Sequence, residues 1–467
     1  MHEIRIDGQV VDLTPNAQVT LDRTNPHFVY ESLVTIKMGL PAMGFTKRNR
    51  QIFGHYELPL LGEFPQYRLE YYFGGQLLQE GFFILTEASE RGYTGAFTDK
   101  SGLFFGDYSG QKLNEIDFDS VALTSPLSPV VSVSSQGAYC FPTVLNPDFY
   151  GTNGVSLGYA GRVNEYASGA YLGAPNVPMP FLRYFLAQLA QKTSTTIAGT
   201  LLTDPTWQQA IIYNTRALDG AMTIKLSKHL PEMGIEDYLV ELRKLLGLTF
   251  DFNTVEKKLT IGFLEDLMSK PTKLDWSRKA VAGEIKRTEL NRRLEFGYEL
   301  DGGDQLMKDK PALLGNYTTP NPFSNSVGIA KLSTKISTVL VSDSTGTLTS
   351  RQVGQSEQFN QLTQRAAPRL AFWLGLQSGQ PKATNTLNGQ ALYWTGPNGL
   401  AAKRYVRLEA MRKDVFYLEK DFILSQTDLA TFDFSEKIHV NGTDYYVLNL
   451  QTTLPLTSPT KALLARA

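Results

Sequence analysis

The hydrophobic pattern is clearest over residues 221–268. Ile235, Tyr238, Leu239, Leu242, Leu245 and Leu246 recur at helical spacing and form one apolar stripe. Glu236 and Asp237 open that stripe and Arg243 and Lys244 close it, which suits the helix dipole at both ends. Gly247 is placed to take a left-handed cap. The period then falls to two. Leu248, Phe250 and Phe252 alternate with polar residues, a polar turn follows over 253–257, and Leu259, Ile261 and Phe263 alternate again. The pattern predicts a helix that covers one face of a hairpin.

Period two dominates on either side. Ile4, Ile6, Val10 and Val11 flank an Asp7-Gly8 turn, and short strands are expected at 19–23 and 33–40. The polar run 47–54 predicts a loop with a short helix at most. Strands at 67–73, 76–88 and 93–98 form a glycine-turned meander, with a break expected at Gly81. A second helix is predicted just after Pro180, with Phe181, Tyr184, Phe185 and Leu189 on its stripe. Short strands at 195–199 and 211–213 then suggest that the helix-plus-hairpin unit occurs twice within 178–268. Leu294, Phe296, Tyr298 and Leu300 start a second β region, with further strands expected at 336–341, 370–374, 392–394 and 415–418. It closes on the hairpin signal Asn441-Gly442 between two alternating runs. Residues 106–180 and 301–327 are long Gly/Pro/Asn-rich loops. Long loops are commonly interfacial, so Tyr139, Phe141, Phe149, Tyr150, Tyr159, Tyr166 and Tyr171 are expected on a contact surface.

Composition narrows the class. A chain of 467 residues exceeds one core, and about three domains are expected. Formal charge is −1, from 45 basic and 46 acidic residues, so no basic excess points to nucleic acid. A single cysteine, Cys140, excludes an internal disulfide framework. The opening residues resemble neither a signal nor a transit peptide, and no apolar run reaches the roughly 20 residues a bilayer requires. Synthesis in a reducing cytoplasm is expected.

Candidate chemistry is sparse. His2, His27, His55, His229 and His439 do not stand at metal-ligand spacing with one another or with Cys140, so no metal site and no cofactor is expected. The run 106–112 lacks the Gly-Lys-Ser/Thr ending of a phosphate loop. Glu236/Asp237 and Glu265/Asp266 are chain neighbours that cannot face each other on a helix, so they read as solvated charge. Cys140 reads as a small buried hydrophobe. The basic run 47–50 reads as a solvated loop, with a subunit contact as the sharper alternative. No catalytic, cofactor-binding or metal residue is assigned.

Three segments carry a resemblance. KLSKHLPEMGIEDYLVELRKLLGLTFDFNTVEKKLTI resembles the middle of the baseplate or tail-tip hub proteins of tailed phages and prophages. LDRTNPHF…TIKMGLPAMGFTKRNRQIFG resembles that family's opening, and FDFSEKIHVNGTDYYVLNLQTTLP its closing hairpin. The resemblance implies an α+β, mainly β fold: two tube-type β-barrel domains, an intervening helix-plus-hairpin α+β domain, and long loops. The expected division is an N-terminal barrel (1–105), a loop-rich interface region (106–177), an α+β domain with a duplicated helix-hairpin unit (178–285) and a second barrel with inserted loops (286–467). It also implies a structural virion protein, not an enzyme. That protein is a homotrimeric ring at the tail tip, joining the sixfold tail tube to the threefold tip. The partners implied are tail tube and distal tail proteins, the tape measure protein, tip or fibre proteins, and passing DNA held without specific contacts. The alternatives are a tail-associated cell-wall or glycan hydrolase, and a glycan-binding adhesin using Trp207, Trp373 and Trp394 as stacking platforms; four tryptophans are few for the latter, and core packing is the favoured role for them.

Overall fold

A computed structural model describes the chain except residues 1, 34, 56–65, 100–103, 152–157, 174, 254–255, 322–326 and 364. The fold is α+β and mainly β, with 40% of residues in strands against 18% in helices. Two compact units divide it. One gathers Met1–Phe104, Ser269–Leu290 and Ala410–Ala467, and the other Phe105–Met268 and Asn291–Glu409. The expected segment 286–467 is therefore shared between the two units.

In the first unit the hairpin β1 (His2–Ile6) and β2 (Gln9–Val10) turns at Asp7 and Gly8, with φ of 48° and 77°. β3 (Val19–Thr24), β4 (Ile36–Gly39) and helix α1 (Lys47–Phe53) follow, then the meander β5 (Gln66–Phe73), β6 (Gln76–Ser89) and β7 (Gly92–Asp99). β1 pairs with β5, giving a sheet ordered β2-β1-β5-β6-β7. Alternation places Leu69, Tyr71 and Phe73 inward. Gly81 does not break β6. An added Cβ there would lie 2.3 Å from the Phe97 ring and 2.5 Å from the Thr98 carbonyl, so glycine makes room for the cross-strand phenylalanine.

A larger sheet is built from distant segments. Its path runs through Leu274–Asp275, Lys437–Val440, Thr443–Leu454, Thr460–Arg466, Phe416–Phe422 and Ile285–Thr288. β3 joins it by pairing Val19 with Leu454 through to Thr24 with Asn449, and β4 pairs with β3. Both sheets feed one core, in which Ile4, Ile6, Tyr71 and Phe83 meet Trp276, Phe422, Ile438 and Leu464. The bridges Leu13↔Met43 and Met43↔Tyr93 tie β7 to the segment after β4. Among the described residues no sheet closes on itself, so the barrel walls expected above are open here.

The basic run at 47–50 lies in a short capped helix, which the reading of 47–54 allowed, and is not a solvated loop. The Thr46 hydroxyl accepts from the Asn49 N–H at 3.2 Å. Asn49 is fully buried. Its amide nitrogen donates to the carbonyls of Asp12 (2.8 Å) and Gly44 (2.7 Å), and its oxygen accepts from the Asp12 N–H at 2.9 Å. One side chain thus pins two loops to α1, which polarity along the sequence did not reveal.

In the second unit the helix Ile235–Leu246 forms as its pattern predicts, and Gly247 caps it at φ 60°, ψ 50°. The stripe is buried, but so are Glu241 and Arg243, which lie outside it. Glu241 accepts from the Lys335 N–H at 2.7 Å and from Lys244 Nζ at 2.9 Å. The Arg243 guanidinium lies 4.6 Å from the Phe250 ring centroid. The predicted hairpin Leu248–Asn253 with Lys258–Phe263 is present, though part of its turn falls outside the described residues. The helix after Pro180 spans Leu182–Lys192. The duplication does not form. Thr196–Ala198 adds in parallel to Lys258–Phe263, whereas Ala210–Tyr213 pairs with Arg369–Gln377, so those two short strands never pair with each other.

The aromatic contact surface expected at 106–177 is corrected. Tyr139, Phe141, Phe149, Tyr150 and Tyr166 are buried in the second unit, and Tyr159 and Tyr171 are half-buried. Strands of two to five residues thread this segment, among them Val130–Val133 and Gln136–Cys140. Their shortness and their serine and glycine content hide the period that would reveal them. Trp207, Trp373 and Trp394 are likewise buried, at 1%, 7% and 0% exposure, so they are core residues and not stacking platforms. The expected strand at 392–394 is a bend that carries Trp394 inward.

Candidate functional site

A polar cleft of the second unit is built by the segments 213–216 and 227–232 together with Gln355, Glu357, Leu362, Arg365, Ala366 and Pro368. The strand Ala210–Tyr213 delivers the first segment, and a parallel bridge between Arg216 and Gln355 ties it to the last group. Backbone bonds from Gln355 N–H to Thr215 O (2.7 Å) and from Ala217 N–H to Gln355 O (2.9 Å) fix that junction. A tight helical turn, Leu226–His229, presents Ser227, Lys228 and His229, and Pro231-Glu232 continues toward the long helix. Residues 112–114 cross alongside, held by the Leu113 N–H to Met233 O at 2.8 Å. The cleft opens to solvent and has a volume of about 260 Å³.

Two carboxylates organise its charge. Glu357 is clasped by Arg216 and by Lys228 Nζ, the latter at 2.9 Å. Glu232 accepts from Lys112 Nζ at 2.8 Å and from Arg365 Nη1 at 2.6 Å. The Lys228 hydrogen bond, with charge from Lys228 and Arg216, holds the Glu357 carboxyl below its usual range. The Lys112 hydrogen bond and Arg365 do the same for Glu232. Both groups are therefore ionised acceptors at neutral pH, without a proton to donate.

His229 sits behind them, 3% exposed, with Nδ1 3.2 Å from Asn214 Oδ1. Burial, then repulsion from Arg216 and Lys228, lowers its pKa from 6.5 to about 3. The ring is neutral, and the Asn214 contact assigns the proton to Nδ1. The unfolded chain binds a proton below about pH 6.5 that the folded chain refuses until about pH 3. Stability from this group is complete above the unfolded value and falls as pH drops. About 2 kcal/mol is expected to be lost between pH 7 and pH 5. Urea titrations at the two pH values should show that loss, and His229→Asn should remove most of the difference.

Behind the cleft lies a fully buried charge cluster. Tyr213, which lines the cleft, faces Arg369 on the neighbouring strand, the guanidinium lying 5.2 Å from its ring centroid. Arg369 Nη1 donates to Asp304 at 2.7 Å and Nη2 to Asp301 at 2.8 Å. Asp304 also accepts from the Ser350 hydroxyl (2.7 Å) and from the N–H groups of Arg351 and Leu306 (both 3.0 Å). Asp301 accepts from Gln352 Nε2 and the N–H groups of Ala367 and Gly303. Burial alone would raise the Asp301 pKa, but Arg369 and the two backbone donors outweigh it and hold the pKa low. The cluster anchors the loop after 300 and the strand that starts at 369.

The residues singled out along the sequence do not gather. His2 packs edge-on to Tyr71, and His439 Nδ1 lies 2.7 Å from Asp444. Cys140 is fully buried, and burial raises its pKa. Glu265 is not solvated: its side chain is 18% exposed and accepts the Arg407 N–H at 2.8 Å. Among the described residues no group of three or more His, Cys, Asp or Glu is arranged to hold a metal ion. No described helix is long and apolar enough to cross a membrane, which says nothing of membrane β-barrels. The rejected run at 106–112 does contribute, through Lys112. Sequence reasoning missed Asp301, Asp304, Glu232, Arg365 and Arg369. The available signal was the acidic pair about Gly302-Gly303 and an arginine entering the apolar run LAFWL.

No family model matches the chain, and no curated protein matches it in sequence. Solved structures do. The solved structures it is similar to are phage and prophage tail proteins. One is the 43 kDa tail protein of prophage MuSo2 from Shewanella oneidensis, at 9% identity and a TM-score of 0.41, covering 100% of this chain and 98% of that one. Another is a tail protein from Neisseria meningitidis MC58, at 9% identity, TM-score 0.37, and coverage of 100% and 95%. A third is the prophage tail protein gp18 from Listeria monocytogenes EGD-e, at 9% identity, TM-score 0.38, and coverage of 99% and 94%. Scores of this size mark a loose likeness.

Proposed function

We propose that the chain is a structural virion protein, a hub of a phage or phage-like tail that assembles as a homotrimeric ring at the tail tip. The observation that carries this reading is the strand Ile285–Thr288 in the first unit. All four of its residues are exposed, and among the described residues it is bonded on one side only, to Phe416–Phe422. Ile285 and Leu290 are 57% and 75% exposed. An open edge with an exposed isoleucine beside Lys286 and Arg287, and an exposed leucine two residues beyond the strand, offers a place for another chain to pair. Pairing it with a different edge of a second copy would continue the sheet across subunits, and a head-to-tail interface of that kind gives a ring when its rotation closes, as the proposed trimer requires. The order of the three resembling segments along the sequence supports the same class. The expected neighbours are tail tube and distal tail proteins, the tape measure protein and tip or fibre proteins. A chain of net charge −1 suits a collar that DNA traverses without being gripped.

Sedimentation velocity of the full chain at micromolar concentration is expected to give a trimer. Ile285→Asp with Leu290→Asp, both at exposed positions, should weaken assembly at least tenfold while leaving the circular dichroism spectrum unchanged. A wild-type monomer at that concentration would sink the proposal.

A further inference from the structure

The 260 Å³ cleft has unmet bonding capacity of both signs, and nothing in a purely architectural role requires it. Arg216 engages Glu357 through Nη2, and Arg365 engages Glu232 through Nη1. The other N–H groups of each guanidinium fork carry no partner among the described residues. Acceptors stand beside these donors. Glu357 receives both of its cations on Oε1, which leaves Oε2 without a protein donor among the described residues. Asn114 Oδ1 is buried and without a partner among the described residues. Leu362, 45% exposed, offers an apolar surface on the same cleft.

A simple anion would satisfy only the donors, and a neutral polyol would offer only uncharged acceptors to the spare N–H groups that Arg216 and Arg365 hold beyond their own carboxylate partners. A small molecule with one carboxylate and several hydroxyls on a compact ring meets all three demands. The volume lies just below the roughly 300–1,000 Å³ of drug-sized ligand pockets, which favours one small unit over a segment of a macromolecule. We propose that this cleft binds an acidic monosaccharide unit. Its carboxylate would lie on Arg216 and Arg365, a hydroxyl on Glu357 Oε2, and one ring face on Leu362. The site goes beyond the hub reading and does not depend on it.

Calorimetric titration of the full chain with D-glucuronate, D-glucose and inorganic phosphate tests this. Glucuronate is expected to bind with Kd on the order of 1 mM, at least tenfold tighter than glucose or phosphate. Arg365→Ala and Glu357→Gln change exposed side chains, and each should weaken glucuronate at least tenfold without moving the thermal midpoint. Equal affinity for phosphate and glucuronate would reduce the cleft to a general anion site and overturn the proposal. No saturable glucuronate binding, or variants that bind as the wild type does, would also overturn it.

Discussion

Arg369→Met is expected to destabilise the second unit by about 3–5 kcal/mol, the usual cost of removing one partner from a buried ion pair. Arg369 is 0% exposed, and its two aspartates are 9% and 0% exposed. Methionine matches the length of the side chain but leaves two carboxylates facing each other without a cation. One of them must then take up a proton or open the loop to water. Changing both ends separates the causes: Arg369→Met with Asp304→Asn should recover part of the loss, because it removes one unpaired charge with its partner. The pH dependence has a definite sign. The folded pKa of Asp301 is depressed, so its stabilisation is present above the unfolded carboxyl value, near 4, and is lost as pH falls through the folded value. Denaturant titrations of wild type and Arg369→Met should begin to converge as pH falls below about 4 and meet only below the folded pKa of Asp301. A loss under 1 kcal/mol at neutral pH would mean that water already reaches the cluster.

Trp394→Ala is expected to cost about 3–5 kcal/mol, the range for truncating a large aromatic side chain in a core. The indole is fully buried and lies nearly parallel to the Phe296 ring, with centroids 5.0 Å apart and an interplanar angle of 17°. Tyr298 and Tyr405 complete the cluster at 5.6 Å and 6.0 Å. Tyr298 donates from its hydroxyl to the Leu392 carbonyl at 2.6 Å, so the bend that carries the tryptophan is held by the same group that packs against it. Hydrogen exchange on the strand Arg293–Tyr298 is the direct measure, and it should lose protection first. Unchanged protection and unchanged denaturation midpoint would put the indole on the surface.

These two sites also mark what sequence alone conveys. Residues that pair nearby announce themselves. The β5–β7 meander, the helix Ile235–Leu246 with its glycine cap, and the Asn441-Gly442 hairpin all follow from local period and turn chemistry. Residues that meet across the chain do not. Asp304 and Arg369 are 65 positions apart, and an isolated arginine before an apolar run looks like a strand boundary. Trp394 closes the expected strand 392–394 and precedes the turn residues TGPNG; the segment is a bend instead, and aromatics from other segments, Phe296, Tyr298 and Tyr405, enclose the indole. Phe149 and Tyr150 were hidden by their polar neighbours. The cleft was least legible of all, because its charges come from residues near 112, 216, 230, 357 and 365, and no spacing rule joins them.

The pairing of β3 with Thr443–Leu454 has a consequence for the order of events during synthesis. Asp22 and Asn449, which touch in the finished sheet, are 427 positions apart. At about 5–20 residues per second, the early strand waits roughly 20–90 s for the segment that covers its edge. Contacts of such separation form late and slowly. The nascent chain therefore carries one edge of β3, with Val19 and Leu21 on its core face, without its final partner through most of its time on the ribosome.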